Sequence, residues 1–269
     1  MARISICLPV YNGANLVTDA LRSIERQTTR DHVVLASDNG STDASRQILE
    51  EWGGKIAMDL CVQPKTLPMR DHFNALLERV RSDYYMLLCH DDYFYTDDAL
   101  QRAVEIMDAD QAISAVYCDL AYVSEKGRLL ASRRFARAGA MSGEQIGRQS
   151  IATTRNMFGI PLLIRTAALG SKRYDPQFHY VMDVDLSWEI SAEGPAWHIP
   201  RPMIANRYMG ANTTWSLLAQ SEMEYLRLAH KRGIALTPAF RYRLKLTNYW
   251  VNLKRQAFNS YERVVTALG

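Results

Sequence analysis

The chain has 269 residues and a formal net charge of +3, with 48% hydrophobic and 23% charged residues. This composition is typical of a folded globular protein and excludes a disordered or low-complexity chain. No apolar run reaches the length of a membrane span, about eighteen residues, and the amino terminus lacks the features of a signal peptide. We therefore predict a cytoplasmic protein, and we expect no nucleic-acid partner.

The four cysteines, Cys7, Cys61, Cys89 and Cys118, lie far apart and show no CxxC spacing. That pattern disfavours a zinc site or a disulfide framework. Each cysteine falls in a predicted strand, so we expect buried, reduced thiols that behave as small apolar side chains.

Strand patterns and helix patterns alternate over the first 107 residues. Short apolar runs that end in turn residues predict strands at residues 4–8, 32–36, 57–62 and 84–89. Apolar residues at helical spacing predict helices after Asn15, after Thr42 or Asp43, and over residues 70–81 and 97–107. The alternation predicts a parallel sheet covered by helices, with the carboxyl ends of its strands at one edge.

Three polar segments, at residues 9–12, 37–43 and 90–92, follow strands of this predicted sheet. Because those strand ends share one edge, we expect the segments to form a single site. The adjacent carboxylates Asp91 and Asp92 repel each other unless a cation or hydrogen-bond donors lie between them. They suggest a hard divalent cation, Mg²⁺ or Mn²⁺, that holds substrate phosphates. The alternative is a pair of solvated loop residues beside a helix cap at residues 96–98.

The pattern changes after a predicted strand at residues 114–118. Residues 120–123 and 129–134 predict an antiparallel hairpin, and Ser142 with Gln145 predicts a capped helix start. Further predicted elements are a helix at 183–191 and strands at 196–199 and 203–208. We divide the main domain, residues 1–214, into a nucleotide-binding half at 1–118 and an acceptor half at 119–214.

The remaining segment, residues 215–269, is predicted to be helical, basic and rich in aromatic residues. From Leu217 onward the sequence contains nine basic and three acidic residues, which gives a net charge of +6. A basic aromatic helix can lie on anionic lipid, which would bring the protein to the inner face of the membrane. The same residues suit a helix that packs on the main domain or on a second subunit of a homo-oligomer.

Four segments carry a resemblance to a known family: SICLPVYN at 5–12, SDNGSTD at 37–43, LLCHDD at 87–92 and MDVDLSW at 182–188. In order and spacing they resemble motifs of inverting family 2 glycosyltransferases, over residues 3–214. The resemblance implies a GT-A fold, an α/β architecture with a Rossmann-like, mixed and mostly parallel sheet and helices on both faces. It also implies metal-dependent transfer of a sugar from a nucleotide-sugar to a glycan or lipid-linked saccharide, as in bacterial surface polysaccharide synthesis.

The resemblance assigns the nucleotide site to the first two motifs. Pro9, Tyr11 and Asn12 would line the base and ribose pocket, and Asn39 replaces the second Asp of the family's DDGSTD turn. Asp38 matches the first Asp of that turn, which accepts a hydrogen bond from the base. Because a carboxylate only accepts, it suits the N3–H of uracil or thymine, so a UDP-sugar donor is favoured.

The other two motifs supply the metal site and the base. By resemblance Asp92 would bind Mg²⁺ or Mn²⁺, and Asp91 would contact the ribose or a metal-bound water. Asp183 matches the catalytic base, which takes the proton of the attacking acceptor hydroxyl. Asp185 is the alternative base.

Several positions depart from the family pattern. Cys89 and Met182 stand where many members have acids, and Met209 stands where a His often contacts metal or diphosphate, a role that Arg207 could take. Residues 66–68, Thr-Leu-Pro, replace an NLG segment, which makes Arg70 a candidate base or phosphate contact. These departures favour, as the alternative, a noncatalytic module that binds sugar-nucleotides or glycans. A sugar-phosphate nucleotidyltransferase is disfavoured because residues 9–15 hold a single Gly and no Lys or Arg.

Overall fold

The computed structural model describes residues 2–134, 138–208, 217–235, 237–247, 249–250 and 253. These residues form one ten-stranded sheet with helices on both of its faces. The strands are β1 Ile4–Val10, β2 His32–Asp38, β3 Met58–Val62, β4 Tyr84–Leu87, β5 Tyr93–Phe94, β6 Ala115–Val123, β7 Leu129–Arg133, β8 Gly139–Met141, β9 Pro161–Arg165 and β10 Ala196–Arg207. The α-helices are α1 Val17–Glu25, α2 Ser45–Gly53, α3 Met69–Leu77, α4 Ala99–Ala109, α5 Gly143–Thr153, α6 Thr166–Leu169, α7 Met182–Ile190 and α8 Ser221–Lys231. Residues 238–247, 249–250 and 253 are also helical.

β1 lies in the interior of the sheet, and all seven of its residues are buried. It pairs in parallel with β2 on one side and with β4 on the other. A strand covered by helices on both faces needs apolar side chains at successive positions, which explains its continuous apolar sequence.

The sheet is mixed, with the strand order β3-β2-β1-β4-β9-β6-β10-β5. Its pairings show that β9 and β5 run opposite to the other six strands of this path. β7 and β8 add antiparallel pairs to β6 and β10. The prediction of a mixed, mostly parallel sheet is therefore confirmed.

Two apolar layers cover the sheet. One packs α1, α2 and α4 against side chains of β1 such as Ile6 and Leu8. The other packs α3, α5, α7 and α8 against the opposite face, where Cys7 of β1 points. Neighbouring residues of β1 thus enter different layers, as the two-residue period of a strand requires.

Two predicted pairs of strands are single strands in the structure. The predicted strands at 114–118 and 120–123 form β6, and those at 196–199 and 203–208 form β10. Asp119 interrupts the apolar run of β6 but stays buried, because its Oδ1 accepts a hydrogen bond from His198 Nε2 at 2.9 Å. The gap in β10 is a bulge between Ile199 and Ile204 that the strand accommodates.

β4 is shorter than predicted and ends at Leu87, so Cys89 lies in the following turn rather than in a strand. All four cysteines are unpaired, as expected. Cys7 and Cys118 are buried, whereas Cys61 and Cys89 are only partly buried.

α8 belongs to the segment that we assigned to a separate extension, yet it shares a core with α3 and α7. Its residues Tyr225, Leu228 and Ala229 are buried in that core. Leu244, in the later helical residues, is buried there as well. Within the described ranges, no helix combines the length and the hydrophobicity of a membrane span.

Candidate functional site

The turns after β1 and β2 are joined by hydrogen bonds at the edge where both strands end. The Asn12 backbone N–H donates to Ser41 Oγ, and the Thr42 N–H donates to Asn12 Oδ1, both at 2.9 Å. Asn12 adopts a left-handed backbone conformation with φ of 47°, which asparagine tolerates better than most residues. Two of the three predicted polar segments therefore meet.

His90 brings the third segment, the turn after β4, against the first. Its ring packs so closely on Gly13 that a Cβ at that position would lie 2.3 Å from His90 Cδ2. Gly13 is thus required for this contact, and His90 acts as a packing residue between the turns.

A cavity of about 630 Å³ opens at this edge of the sheet. Its wall includes six of the predicted site residues: Pro9, Tyr11, Asn39, Asp91, Asp92 and Asp183. Asn12, Asp38 and Arg70 are not part of the wall. The cavity also has aromatic side chains on the side of α3, α7 and α8, namely Phe73, Tyr85, Tyr174, Tyr180 and Tyr225.

Asp38 and Asn39 shape the turn after β2. Asp38 is buried, and its carboxylate accepts the Ser41 backbone N–H at 3.2 Å. The Asn39 side chain pairs with Leu67 in both directions, because Nδ2 donates to the Leu67 carbonyl and Oδ1 accepts the Leu67 N–H, each at 2.9 Å. Only an amide can donate and accept in this way, so Asn rather than Asp suits this position.

Arg70 lies outside the cavity wall. Its Nε donates to Asp71 Oδ1 at 2.8 Å, and its NH1 donates to the Pro176 carbonyl at 3.1 Å. A nucleotide contact would require the guanidinium to leave these partners. The predicted role of Arg70 in binding base or phosphate therefore lacks support from its position.

Cys89, Asp91 and Asp92 form a cluster whose potential metal-binding atoms lie within 4.8 Å of one another. Asp92 is 5% exposed and accepts hydrogen bonds from Asn206 Nδ2 at 2.9 Å and from the Arg207 N–H at 3.3 Å. Burial, followed by the charge of Asp91, raises the pKa of Asp92 well above its usual range. A bound cation would offset both effects.

The chemistry of this cluster suits a hard divalent cation. The carboxylates of Asp91 and Asp92 supply the oxygen ligands that Mg²⁺ and Mn²⁺ prefer. The sulfur of Cys89 is a softer ligand, which suits metals such as Zn²⁺ better than Mg²⁺ or Mn²⁺. We therefore assign the two carboxylates, without Cys89, to a candidate metal site.

Arg207 supports the turn that carries Asp91 and Asp92, and it does so from the face of β10 that points away from the cavity. Its side chain is buried, donates from Nε to the Asp91 carbonyl at 3.2 Å and from NH2 to Asp19 Oδ2 at 2.8 Å, and also contacts the Glu125 carbonyl. Because strand side chains alternate, Asn206 faces the cavity and Arg207 does not. Arg207 is thus a positioning residue, and Met209 lies outside the described residues.

Asp183 lies in the first turn of α7 and faces the cavity. Its Oδ2 accepts a hydrogen bond from Asn156 Nδ2 at 2.7 Å, and its Oδ1 accepts the Val184 N–H at 2.8 Å. Burial raises the pKa of Asp183 to about 6, despite these hydrogen bonds. A carboxylate of this pKa in a cavity suits a general base that works near neutral pH.

Asp185, the alternative base, points away from the cavity. It is buried and forms ion pairs with Lys231 at 2.7 Å and with Arg232 at 2.6 Å. Both cations belong to the end of α8 or the residue after it. Asp185 therefore joins α7 to α8 and is not placed to meet a substrate.

Glu224 of α8 is buried beside the start of α7. One of its oxygens, Oε2, accepts the backbone N–H groups of His179, Tyr180 and Val181 at 2.9, 2.6 and 3.1 Å. These residues immediately precede α7, and a carboxylate at a helix N-terminus is also stabilised by the helix dipole. Glu224 thus fixes the backbone that presents Asp183.

A known protein family matches more than half of the chain. The model described as Glycosyl transferase family 2 matches residues 5–177. An uncharacterised glycosyltransferase of Rickettsia prowazekii (strain Madrid E) is 23% identical over 226 residues, which cover 81% of this chain and 68% of that protein. Chondroitin synthase of Escherichia coli is 21% identical over 211 residues, which cover 78% of this chain and 30% of that protein.

Solved structures support the same fold. S. aureus TarS 1-349 in complex with UDP aligns with a TM-score of 0.68 at 16% identity, covering 90% of this chain and 69% of that one. The Pyrobaculum calidifontis mannosyltransferase PcManGT, in complex with GDP-Man and Mn²⁺, aligns with a TM-score of 0.61 at 16% identity, covering 95% and 73%. The predicted GT-A architecture is confirmed by these similarities.

Proposed function

Because the chain belongs to glycosyl transferase family 2, we propose that it transfers a sugar from a nucleotide-sugar to an acceptor hydroxyl with inversion at the anomeric carbon. The observation that carries this proposal is the placement of the Asp91–Asp92 pair and Asp183 in the wall of one cavity. The acidic pair provides a site for a diphosphate-bound cation, and Asp183 provides a base. The proposed acceptor is a glycan or a lipid-linked saccharide.

The donor is proposed to be a UDP-sugar held at the turns after β1 and β2. Pro9 and Tyr11 line the cavity there and would contact the base and ribose. Asp38 is buried beneath the same turn and is not part of the cavity wall, so its carboxylate would accept the N3–H of uracil only after the turn moves to expose it. Asn12 and Asn39 would fix the conformation of the turns and would not contact the nucleotide with their amide groups, because these groups already form hydrogen bonds within the turns.

Asp92 and Asp91 are proposed to hold Mn²⁺ or Mg²⁺. When bound, such a cation offsets the negative charge of the diphosphate and of the departing nucleoside diphosphate. Asn206 and Arg207 contribute by fixing Asp92 and the Asp91 backbone through the hydrogen bonds described above.

Asp183 is proposed to take the proton from the acceptor hydroxyl. As that oxygen forms its bond to the anomeric carbon, the bond from this carbon to the diphosphate oxygen breaks, and the electron pair leaves with the nucleoside diphosphate. Attack from the face opposite the diphosphate inverts the anomeric configuration. Asn156 would orient the Asp183 carboxylate through its hydrogen bond to Oδ2.

The rate of transfer should depend on pH through Asp183. A base must be deprotonated, and burial raises the pKa of Asp183 to about 6. We therefore expect kcat to be constant above this pH and to fall about tenfold per pH unit below it. Initial rates between pH 4.5 and 8, with nucleotide binding measured at each pH, would check the profile. A rate that stays constant through pH 5 would argue against this role for Asp183.

Nucleotide choice can be tested by thermal unfolding with UDP, dTDP, GDP or CDP, each with Mn²⁺ or with a chelator. A ligand at about a hundred times its Kd adds roughly 2.7 kcal/mol to the free energy of unfolding. We expect the largest increase in Tm with UDP and Mn²⁺, and we expect Asp92→Asn to remove the Mn²⁺ dependence.

The outcomes of this panel separate the proposed enzyme from the alternative. Stabilisation by UDP together with donor turnover supports the transferase. Stabilisation without turnover of any nucleotide-sugar would support a noncatalytic binding module, the alternative suggested by Cys89 and Met182. Stabilisation by GDP alone would reject the assigned role of Asp38.

A further inference from the structure

The helical residues near the end of the described chain carry an exposed apolar stripe. It consists of Tyr242, Leu246, Tyr249, Trp250 and Leu253, whose exposed fractions lie between 36% and 66%. The residues are helical and are spaced by four, three, one and three positions, which places them on one face of a helix. We call this set the aromatic stripe.

The other side of this helical segment is attached to the domain. Leu244 is completely buried, and Phe240 packs against the same core as α7 and α8. The spacing of four residues puts both on one face, opposite the aromatic stripe. The domain therefore holds the helix in a fixed position while the aromatic stripe faces outward.

The charges beside the stripe all have one sign. Arg241, Arg243 and Lys245 are exposed. In the sequence from 238 to 255, Lys254 and Arg255 add two more basic residues, and no acidic residue is present. Lys231 and Arg232, by contrast, are paired with Asp185 inside the domain and do not contribute to this surface.

We propose that the aromatic stripe and its flanking basic residues dock on the surface of an anionic bilayer. Tyrosine and tryptophan place an apolar ring in the acyl boundary and a polar group near the lipid headgroups. Each nearby Lys or Arg gains from the negative surface potential of anionic lipid. Because the sequence from 238 to 255 contains no acidic residue, an anionic bilayer is favoured over a protein partner that carries charges of both signs.

The test uses the full chain and its sedimentation with two kinds of vesicle. One contains phosphatidylcholine alone, and the other contains phosphatidylcholine with phosphatidylglycerol. We expect binding to the anionic vesicles only, with weakening as salt is added. Arg241→Gln/Arg243→Gln/Lys245→Gln should reduce the partition coefficient about a hundredfold, since each basic residue near the surface contributes separately. Tyr249→Ser/Trp250→Ser should reduce it at least tenfold.

Leu129→Ser/Leu130→Ser is the matched control, because these β7 residues are 48% and 49% exposed but lie outside the aromatic stripe. This control should bind vesicles as the unchanged chain does. Point substitutions are preferable to truncation, since removing the residues after Leu217 would also remove Glu224 and Tyr225 from the site. Thermal unfolding of each variant checks that it is folded.

Two results would overturn the proposal. One is failure of the unchanged, folded chain to bind anionic vesicles. The other is a concentration-dependent dimer that Tyr249→Ser/Trp250→Ser abolishes, which would assign the aromatic stripe to a second copy of the chain. Vesicle binding does not depend on nucleotide binding, so this inference and the proposed transferase activity fail or hold separately.

Discussion

Asp183→Asn is expected to lower kcat for sugar transfer by about a hundredfold to ten thousandfold, the usual contribution of general base catalysis. An amide cannot take the proton of the acceptor hydroxyl, so the attacking oxygen would stay weakly nucleophilic. Nucleotide binding should change little, because Asp183 lies on α7, whereas the proposed sites for the uracil ring and for the metal lie at the turns after β1, β2 and β4. Single-turnover rates and UDP binding with Mn²⁺ would be measured on the same preparation.

Asp185→Asn is a matched control for this substitution. It changes the same chemical group two positions away, but at a side chain that binds Lys231 and Arg232 instead of facing the cavity. We expect reduced thermal stability and retention of most of kcat where the variant is folded. Transfer by Asp183→Asn at a rate near that of the unchanged chain would remove Asp183 as the base, and loss of kcat only in Asp185→Asn would reverse the assignment.

The first half of the fold could be predicted because its signals are local. Buried strands such as β1 are continuous apolar runs, and each ends in turn residues. The second half could not be predicted as well, because its irregularities depend on contacts across the sheet. Asp119 looks like a strand end in the sequence, but a hydrogen bond to His198, 79 residues away, keeps it inside β6. No strand was predicted at Pro161–Arg165, where the structure has β9, which pairs antiparallel with both β4 and β6.

The same distinction applies to the candidate site. The turns at residues 9–12, 37–43 and 90–92 could be identified because polar residues follow strands directly. The residues that hold them could not, since Asn156 lies 27 positions from Asp183, and Asn206 lies 114 positions from Asp92. A lone Asn carries no sequence signal for such a contact. Asn39 was noticed only as a departure from the family, and its reciprocal pairing with Leu67 supplies the physical reason.

Glu224 is the clearest example of a contact that could not be predicted from the sequence, because we assigned this residue to an extension outside the main domain. Glu224→Ala would leave the N–H groups of residues 179–181 without this acceptor, and of these three groups the Val181 N–H is fully buried while the other two are part-buried. Since an unsatisfied buried group costs about 1–3 kcal/mol, we expect the free energy of unfolding to fall by about 2 kcal/mol. We also expect a large loss of kcat, because the backbone before Asp183 is released. Denaturant unfolding and transfer rates below the new Tm would measure both effects.

Glu224→Gln separates positioning of the base from general stability, because it keeps the size of the side chain and removes its charge. Burial is the main cause of the raised pKa of Asp183, and the negative charge of Glu224 raises it further. Removing that charge makes Asp183 easier to deprotonate, so the acidic limb of the kcat profile should move to lower pH. Glu222→Ala, two positions earlier on α8, is the control and should change neither stability nor the profile appreciably. If Glu224→Gln lowered stability but left the acidic limb unchanged, Glu224 would be a structural residue of α8 and not a positioning residue for Asp183.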